Sequence, residues 1–139
     1  MLSNALADLS TEPDGAFIKK ATLKAGKARF VYTDTEPRDV KEIVGTPDWV
    51  MEVISPGSEK KDQRLKAAYH KAGIPELWLI DARGSKVIFS ILSHHPGKYQ
   101  PTSRKRGWQQ SHVFGRWFRL RRQKGLLDLW EYHLEVKKA

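Results

Sequence analysis

The sequence predicts one domain that mixes strands and helices, in the α+β or mixed α/β class. The chain has 139 residues, of which 40% are hydrophobic, so it can bury one substantial core. Its strand-like segments outnumber its helical ones, and the predicted order of the main elements is β-β-β-α-β-β. No internal repeat or low-complexity linker divides the chain. We therefore expect a single domain over residues 1–139, in which 1–12 form a short N-terminal segment.

The first third of the chain predicts a hairpin. Residues 2–9 predict a short helix that ends in the turn formers of residues 10–15. Residues 17–23 and 29–33 are strand-like and are separated by a short turn that contains glycine, which favours a hairpin. The polar stretch at residues 34–45 predicts a loop.

The middle of the chain predicts a buried strand, a helix and two further strands. Residues 48–54 are apolar on both faces, which is typical of a central strand that is covered on both sides. Residues 59–72 have apolar side chains at helical spacing, and the glycine and proline that follow predict the end of the helix. Residues 76–81 and 86–92 predict two more strands.

The composition excludes several kinds of site and favours an anionic partner. The chain has no cysteine, so disulfides, thiolate metal sites and cysteine nucleophiles are excluded. Its 25 Lys and Arg residues against 16 Asp and Glu residues give a net charge of +9, which attracts polyanions such as nucleic acid. No apolar run approaches the ~20 residues of a membrane span, and a secretory pattern is lacking, so we expect a cytoplasmic protein.

One carboxylate in the most hydrophobic predicted strand is the first candidate for chemistry. Glu52 lies in the middle of residues 48–54, and burial of an unpaired carboxylate costs several kcal/mol or shifts its pKa. The alternative is an ion pair with a basic residue that only fixes the strand register. Asp48 shares a strand face with Glu52 but lies roughly 13 Å away at ~3.3 Å per residue, too far to share one metal ion. Glu52 therefore needs a partner from a neighbouring strand.

Two motifs then occur in sequence. Residues 47–56 have the form Pro-Asp … Glu-Val-x-Ser-Pro, and residues 73–81 have the form Gly-x-x-Glu-x-Trp-x-x-Asp. Together with Asp62 and Tyr69, they resemble the Uma-two family of restriction endonucleases in the PD-(D/E)XK nuclease superfamily. The resemblance covers most of the chain. It implies a restriction-endonuclease-like core, in which a helix follows the third strand of a central mixed sheet.

The resemblance also implies a metal site. Residues 13–18 match an earlier Pro-Asp of the family, so Asp14 and Glu52 would be the catalytic, metal-binding pair. Hard oxygen ligands from adjacent strands suit Mg²⁺, with Mn²⁺ as a substitute, and such an ion contacts the scissile phosphate and activates water. The superfamily usually has a lysine two residues after the glutamate, but this chain has Ile54 there. The family implies a basic residue on the following helix instead.

We choose Lys66 as that catalytic lysine, which would stabilise developing negative charge and help to position the water. Lys61 is the alternative, because the segment before Tyr69 is slightly shorter than the family pattern and leaves the helical register open. For either lysine, the competing interpretation is a solvated helix face. Asp48 and Asp62 would support the site.

The last third of the chain is strongly basic. Residues 104–124 include eight Lys and Arg residues and no acidic residue, interleaved with four aromatic residues. We expect most of the aromatic side chains to fill the core, while the basic ones stay in water and contact phosphates. The candidate nucleic-acid-binding residues are Arg104, Lys105, Arg106, Arg119, Arg121 and Arg122. Residues 130–136 predict a further strand or a short helix.

The leading hypothesis is a Mg²⁺-dependent endonuclease that hydrolyses phosphodiester bonds in DNA. Family members usually have a longer N-terminal region, so we expect a shortened copy whose sheet flank lacks a neighbour, which favours a homodimer. The alternative is a catalytically inactive nucleic-acid-binding or interaction module that retains the nuclease fold. Close approach of Asp14 and Glu52 near a lysine would favour the enzyme.

Overall fold

A computed structural model describes residues 1–139 and contains strands and helices in three sheets, which confirms a mixed α/β chain. The helices are α1 (Lys20–Lys24) and α2 (Glu59–Lys71). The strands are β1 (Leu2–Asn4), β2 (Leu9–Thr11), β3 (Gly15–Phe17), β4 (Ala28–Tyr32), β5 (Val40–Gly45), β6 (Trp49–Ile54), β7 (Glu76–Asp81), β8 (Ile88–His95), β9 (Lys98–Pro101), β10 (Arg104–Lys105), β11 (Trp108–Ser111), β12 (Arg116–Lys124) and β13 (Trp130–Lys138).

The largest sheet has five strands in the order β3-β6-β7-β8-β9. Within it β6 and β7 are parallel, and the other neighbours are antiparallel. Parallel neighbours require a crossover connection, and α2 provides it. Two four-stranded sheets have the orders β2-β1-β5-β4 and β10-β11-β12-β13. Strand β6 therefore lies inside its sheet, between β3 and β7.

Both faces of the large sheet are covered, as the apolar pattern of residues 48–54 predicts. On one face Val50 and Leu77 join Tyr69 of α2 in the main core. On the other face, Trp78 forms a second cluster with Phe89 and Ile91, and the aromatic side chains of the β11–β12 region pack against it. Alternate residues of β6 and β7 thus supply both cores.

The predictions for the middle of the chain are confirmed. Residues 48–54 form β6, residues 59–72 form α2, and residues 76–81 form β7, each within about one residue of the predicted ends. The helix ends where Gly73 adopts a φ of +77°, a left-handed conformation that favours glycine. Residues 130–136 lie in β13, so the last segment is a strand.

The N-terminal predictions are wrong in three places. The predicted strand at residues 17–23 ends at Phe17 and continues as α1, because Asp48 accepts hydrogen bonds from the Lys19 N–H and the Thr22 hydroxyl. The predicted hairpin does not form, since β4 pairs with β5, which lies in the segment expected to be a loop. Residues 2–9 form no α-helix but two paired strands around a 3₁₀ turn, because Leu2 and Leu9 are buried in the core.

The helices also bear on membrane association. Neither α1 nor α2 is long and apolar enough to cross a bilayer. The expected cytoplasmic location stays a prediction.

Candidate active site

Glu52 lies in the middle of β6 with its side chain directed towards α2. It is only 7% exposed, and its Oε1 accepts a hydrogen bond from the hydroxyl of Tyr69, which is itself fully buried. None of the ion pairs in the structure includes Glu52. The direct partner of this buried carboxylate is therefore a neutral hydroxyl, and an ion pair that only fixes the register is not present.

Asp14 reaches the same place from the neighbouring strand. Strand β3 pairs with β6 in antiparallel register, with Gly15 opposite Met51, and the continuation of this register sets Asp14 opposite Glu52. The Asp14 Oδ2 accepts a hydrogen bond from the Val53 N–H at 2.7 Å, which fixes the side chain beside β6. The structure thus brings together the two carboxylates that the sequence paired, one buried and one exposed.

Burial and the nearby Asp14 change the protonation of Glu52. Burial, together with the negative charge of Asp14 and a hydrogen bond to it, raises the pKa of Glu52 to about 7. The hydrogen bond from Tyr69 and the positive charge of Lys61 lower this pKa but do not offset the burial. Below about pH 7 Glu52 therefore holds a proton that a bound cation would displace.

Tyr69 is the functional candidate that sequence reasoning missed. Burial and the neighbouring Glu52 raise its pKa, so the phenol stays protonated and acts as a hydrogen-bond donor. The side chain of Thr11 in β2 lowers the pKa of Tyr69 but does not offset these two effects. The sequence did contain a signal, because Tyr69 lies on the apolar stripe of α2 and is part of the family motif. Its contact with Glu52 depends on how α2 packs on β6.

The two candidate lysines lie on different sides of α2. Lys61 borders a groove of about 520 Å³, whose other walls include Arg64 and Thr11, and its charge acts on Glu52. Lys66 borders a different groove, together with His70 and Tyr99. Five residues correspond to a rotation of about 140° at 3.6 residues per turn, so the two lysines cannot share one face. The structure brings Lys61, and not Lys66, to the carboxylates.

Asp48 and Asp62 serve the local structure near the site. Asp48 holds the start of α1 through the Lys19 N–H at 2.7 Å and the Thr22 hydroxyl at 2.9 Å. Asp62 lies in the first turn of α2 and accepts a hydrogen bond from the Ser58 hydroxyl. A negative charge at that helix end is favourable. Neither residue has a hydrogen bond to Glu52 or Asp14.

The basic candidates divide into two groups. Arg119 binds both oxygens of Glu135, at 3.1 and 3.0 Å, while Arg121 lies 3.3 Å from the same carboxylate. Arg122 donates hydrogen bonds to backbone carbonyls of the turn after β7. These three side chains therefore brace β12. The other three, which lie in and after β10, are exposed: Arg104, Lys105 and Arg106. Arg104 donates one long hydrogen bond, of 3.4 Å, to the Ser90 hydroxyl.

The donor set at the carboxylate pair fits Mg²⁺. The structure contains no group of three or more His, Cys, Asp or Glu side chains that could hold a metal ion, so any site here has two protein carboxylates. Mg²⁺ commonly binds through one or two carboxylates, keeps several waters and takes further oxygens from a substrate phosphate. Asp14 and Glu52 on adjacent strands meet that description, with the exposed side of Asp14 open to solvent.

Comparison with known proteins identifies the family of the chain. A search of curated proteins gives no match. The model of the Uma2 family, described as "putative restriction endonuclease", matches residues 4–122. The match includes both carboxylates, Lys61 and Tyr69, and it ends within β12, so β13 lies outside it. Since the match covers most of the 139 residues, the chain belongs to the Uma2 family.

Proposed function

We propose that this chain is a Mg²⁺-dependent endonuclease that hydrolyses phosphodiester bonds in DNA, with Asp14 and Glu52 as the metal ligands. The family supports nuclease activity in general. The observation that carries the specific proposal is the meeting of a buried and an exposed carboxylate from adjacent strands, with Lys61 close enough to act on Glu52.

Each side chain has a distinct part in the proposed site. A bound Mg²⁺ would supply Lewis acidity and a more acidic water. Tyr69 holds the Glu52 carboxylate in one orientation, and the Val53 N–H does the same for Asp14. Lys61 would face the negative charge that develops on the phosphate, where a positioned cation has its largest effect.

The groove beside Lys61 is the proposed route for the nucleic-acid backbone. It runs between β2 and α2, and its polar lining includes Asp8, Thr11, Lys61 and Arg64. Lys61 links it to the site, because the charge of this lysine acts on Glu52. Two cationic side chains along a groove of about 520 Å³ suit a phosphodiester chain. The exposed residues of the β10 region would add contacts outside this groove.

A plasmid-nicking assay with Mg²⁺ or Mn²⁺ tests the assignment. We expect the wild type to nick supercoiled DNA, and Glu52→Gln and Asp14→Asn to lower the rate by at least about 100-fold. Asp34→Asn, which neutralises an exposed loop carboxylate, is the matched control and should keep wild-type activity. Equal nicking rates for the wild type and Glu52→Gln would contradict the proposed assignment of the site.

The same assay distinguishes the two lysines. We expect Lys61→Met to lower the cleavage rate by about 100-fold, because it removes the only lysine charge that acts on Glu52. Lys66→Met is the matched control on the same helix and should leave the rate nearly unchanged. The opposite ranking would restore Lys66 as the catalytic lysine.

The second candidate function is a catalytically inactive module that binds nucleic acid. The exposed cluster of Arg104, Lys105 and Arg106 favours it, since phosphate contacts there do not need the carboxylate pair. DNA binding that survives in Glu52→Gln, with no cleavage by the wild type at any Mg²⁺ or Mn²⁺ concentration, would establish this module instead of the enzyme.

A further inference from the structure

Strand β13 presents a free edge and an exposed apolar face. It pairs with β12 on one side and has no strand on the other. It is nine residues long, and its alternate side chains are 42 to 57% exposed. A long apolar edge strand is a surface that folded proteins normally cover or blunt. The apolar residues are Trp130, Tyr132, Leu134 and Val136.

This apolar face is continuous with the second core. Leu134 lies opposite Leu120 and Val136 opposite Phe118, so each pair points to the same side of the sheet. Leu120 and Phe118 pack against the second core cluster, whereas their partners on β13 are more than half exposed. The core-facing surface of the sheet therefore extends one strand beyond the body of the protein.

The charges on the other face of β13 fit a second copy of the same strand. When two copies pair antiparallel about a two-fold axis at Leu134, Glu131 lies opposite Lys137 and His133 opposite Glu135. On the apolar face Tyr132 then lies opposite Val136. Each opposed pair in this register is apolar or joins a carboxylate to a basic side chain, except at the strand ends, where Trp130 lies opposite Lys138.

Neighbouring registers lack this complementarity. An axis at His133 sets Glu131 opposite Glu135, and an axis at Glu135 sets two copies of that carboxylate opposite each other. An axis between two residues would oppose apolar to polar side chains, because opposite residues share a face. Axes at Tyr132 and Val136 also oppose complementary charges, but each pairs only five residues of β13 with the second copy. The axis at Leu134 pairs all nine residues and is therefore the favoured register.

We propose that β13 is a homodimer interface, in which two copies join their β13 strands antiparallel about a two-fold axis at Leu134. The two four-stranded sheets become one eight-stranded sheet, and the unpaired backbone groups of both edges gain partners. Both protein bodies lie on the same side of this sheet, because Phe118 and Leu120 pack against each body on that side. The apolar rows of the two strands then lie between the bodies. This interface does not depend on nuclease activity and differs from the N-terminal sheet flank that the sequence suggested.

Sedimentation equilibrium of the full chain, with charge variants, tests the interface. We expect a dimer for the wild type. Glu131→Lys and Lys137→Glu should each weaken it by about tenfold or more, because symmetry creates two like-charge pairs in either variant. An equimolar mixture of the two variants should restore the dimer, because the mixed pair has complementary charges at both positions.

A second substitution and a folding control complete the experiment. Leu134→Lys places two like charges opposite each other at the axis and should give a monomer. Leu6→Lys is the control, because it changes an 89% exposed leucine outside β13, and this variant should remain dimeric. Circular dichroism and thermal melts check that each variant is folded. A monomeric wild type, or a folded dimer unaffected by Leu134→Lys, would overturn the proposal. Failure of the mixture to recover the dimer would overturn the register.

Discussion

At the scale of single residues, Glu52 and Glu76 show how alike two glutamates can look in sequence and how differently they behave. Glu52 lies within β6 and Glu76 begins β7, two apolar strands of the same sheet, and both are buried. Glu76 accepts hydrogen bonds from the Trp78 indole, the Ser111 hydroxyl and the His112 N–H, at 2.9, 2.7 and 3.0 Å. Glu52 has one hydroxyl donor and an acidic neighbour. Only the count of donors separates a structural carboxylate from one that is prepared for a cation.

This difference predicts how Glu52 affects stability at different pH values. The pKa of Glu52 is raised from 4.5 to about 7 in the folded chain. The unfolded chain loses this proton near pH 4.5 whereas the folded chain keeps it, so the stability of the metal-free protein falls as pH rises from 4.5 through 7. Glu52→Gln carries no such proton and should be more stable than the wild type at pH 8, by about 1–3 kcal/mol.

Urea unfolding in EDTA at pH 5 and pH 8 measures this effect. The advantage of Glu52→Gln should be present at pH 8 and nearly absent at pH 5, while Asp34→Asn should follow the wild type. An equal advantage at both pH values would mean that Glu52 does not keep its proton in the folded state.

The same substitution at Glu76 should have the opposite sign. Glu76→Gln replaces one carboxylate oxygen by an NH2 group, which cannot accept the hydrogen bonds that this oxygen receives. We therefore expect a loss of about 2–4 kcal/mol in the free energy of unfolding. Urea unfolding at pH 8 compares the two variants directly. If Glu76→Gln were as stable as the wild type, the hydrogen bonds to Glu76 would not be what holds the β11–β12 turn to β7.

The hydroxyl of Tyr69 is expected to tune the carboxylate pair. Its hydrogen bond lowers the pKa of Glu52, so Tyr69→Phe should raise that pKa and shift the onset of Mn²⁺ binding to higher pH. It should also cost about 1 kcal/mol in stability. Tyr99→Phe is the matched control, because that hydroxyl donates to the Ile74 carbonyl in the same core. If the pH dependence of Mn²⁺ binding were the same in Tyr69→Phe as in the wild type, Tyr69 would have no role in the site.

At the scale of elements, the sequence predicted a strand or helix wherever the residues of that segment alone had the characteristic apolar pattern. The two-sided apolar run of β6 and the apolar stripe and glycine stop of α2 predicted both elements. Helix α1 could not be predicted in the same way, because its first turn depends on a carboxylate in Asp48, far along the chain. The residues of β3 and β6 alone do not predict that these strands pair, and only the family motif indicated Asp14.

Helical phase distinguishes Lys61 from Lys66. Lys61 lies four residues before Leu65, and so extends the apolar stripe that packs against β6, whereas Lys66 is turned away from it. The phase of this stripe, which the sequence shows, favours Lys61, whereas the family resemblance favours Lys66. A lysine that continues a buried stripe towards a buried carboxylate is the better guide.

At the scale of the whole molecule, the three sheets divide the proposed tasks. The five-stranded sheet and α2 carry the carboxylate pair, the N-terminal strands form the other wall of the basic groove, and the C-terminal sheet presents the β13 edge. The net charge of +9 favours a polyanionic substrate for the molecule as a whole. Arg119 and Arg122 of β12 bind protein groups, whereas exposed basic side chains lie on α1, on α2 and in the β10 region.

The central claim is that Asp14 and Glu52 together bind a divalent cation, and Mn²⁺ binding followed by electron paramagnetic resonance tests it without any need for turnover. We expect one Mn²⁺ per chain at pH 8, competition by Mg²⁺, and weaker binding at pH 6, where Glu52 is protonated. Asp14→Asn and Glu52→Gln should each abolish the bound signal, while Asp34→Asn should preserve it. Undiminished Mn²⁺ binding in both site variants would contradict the account.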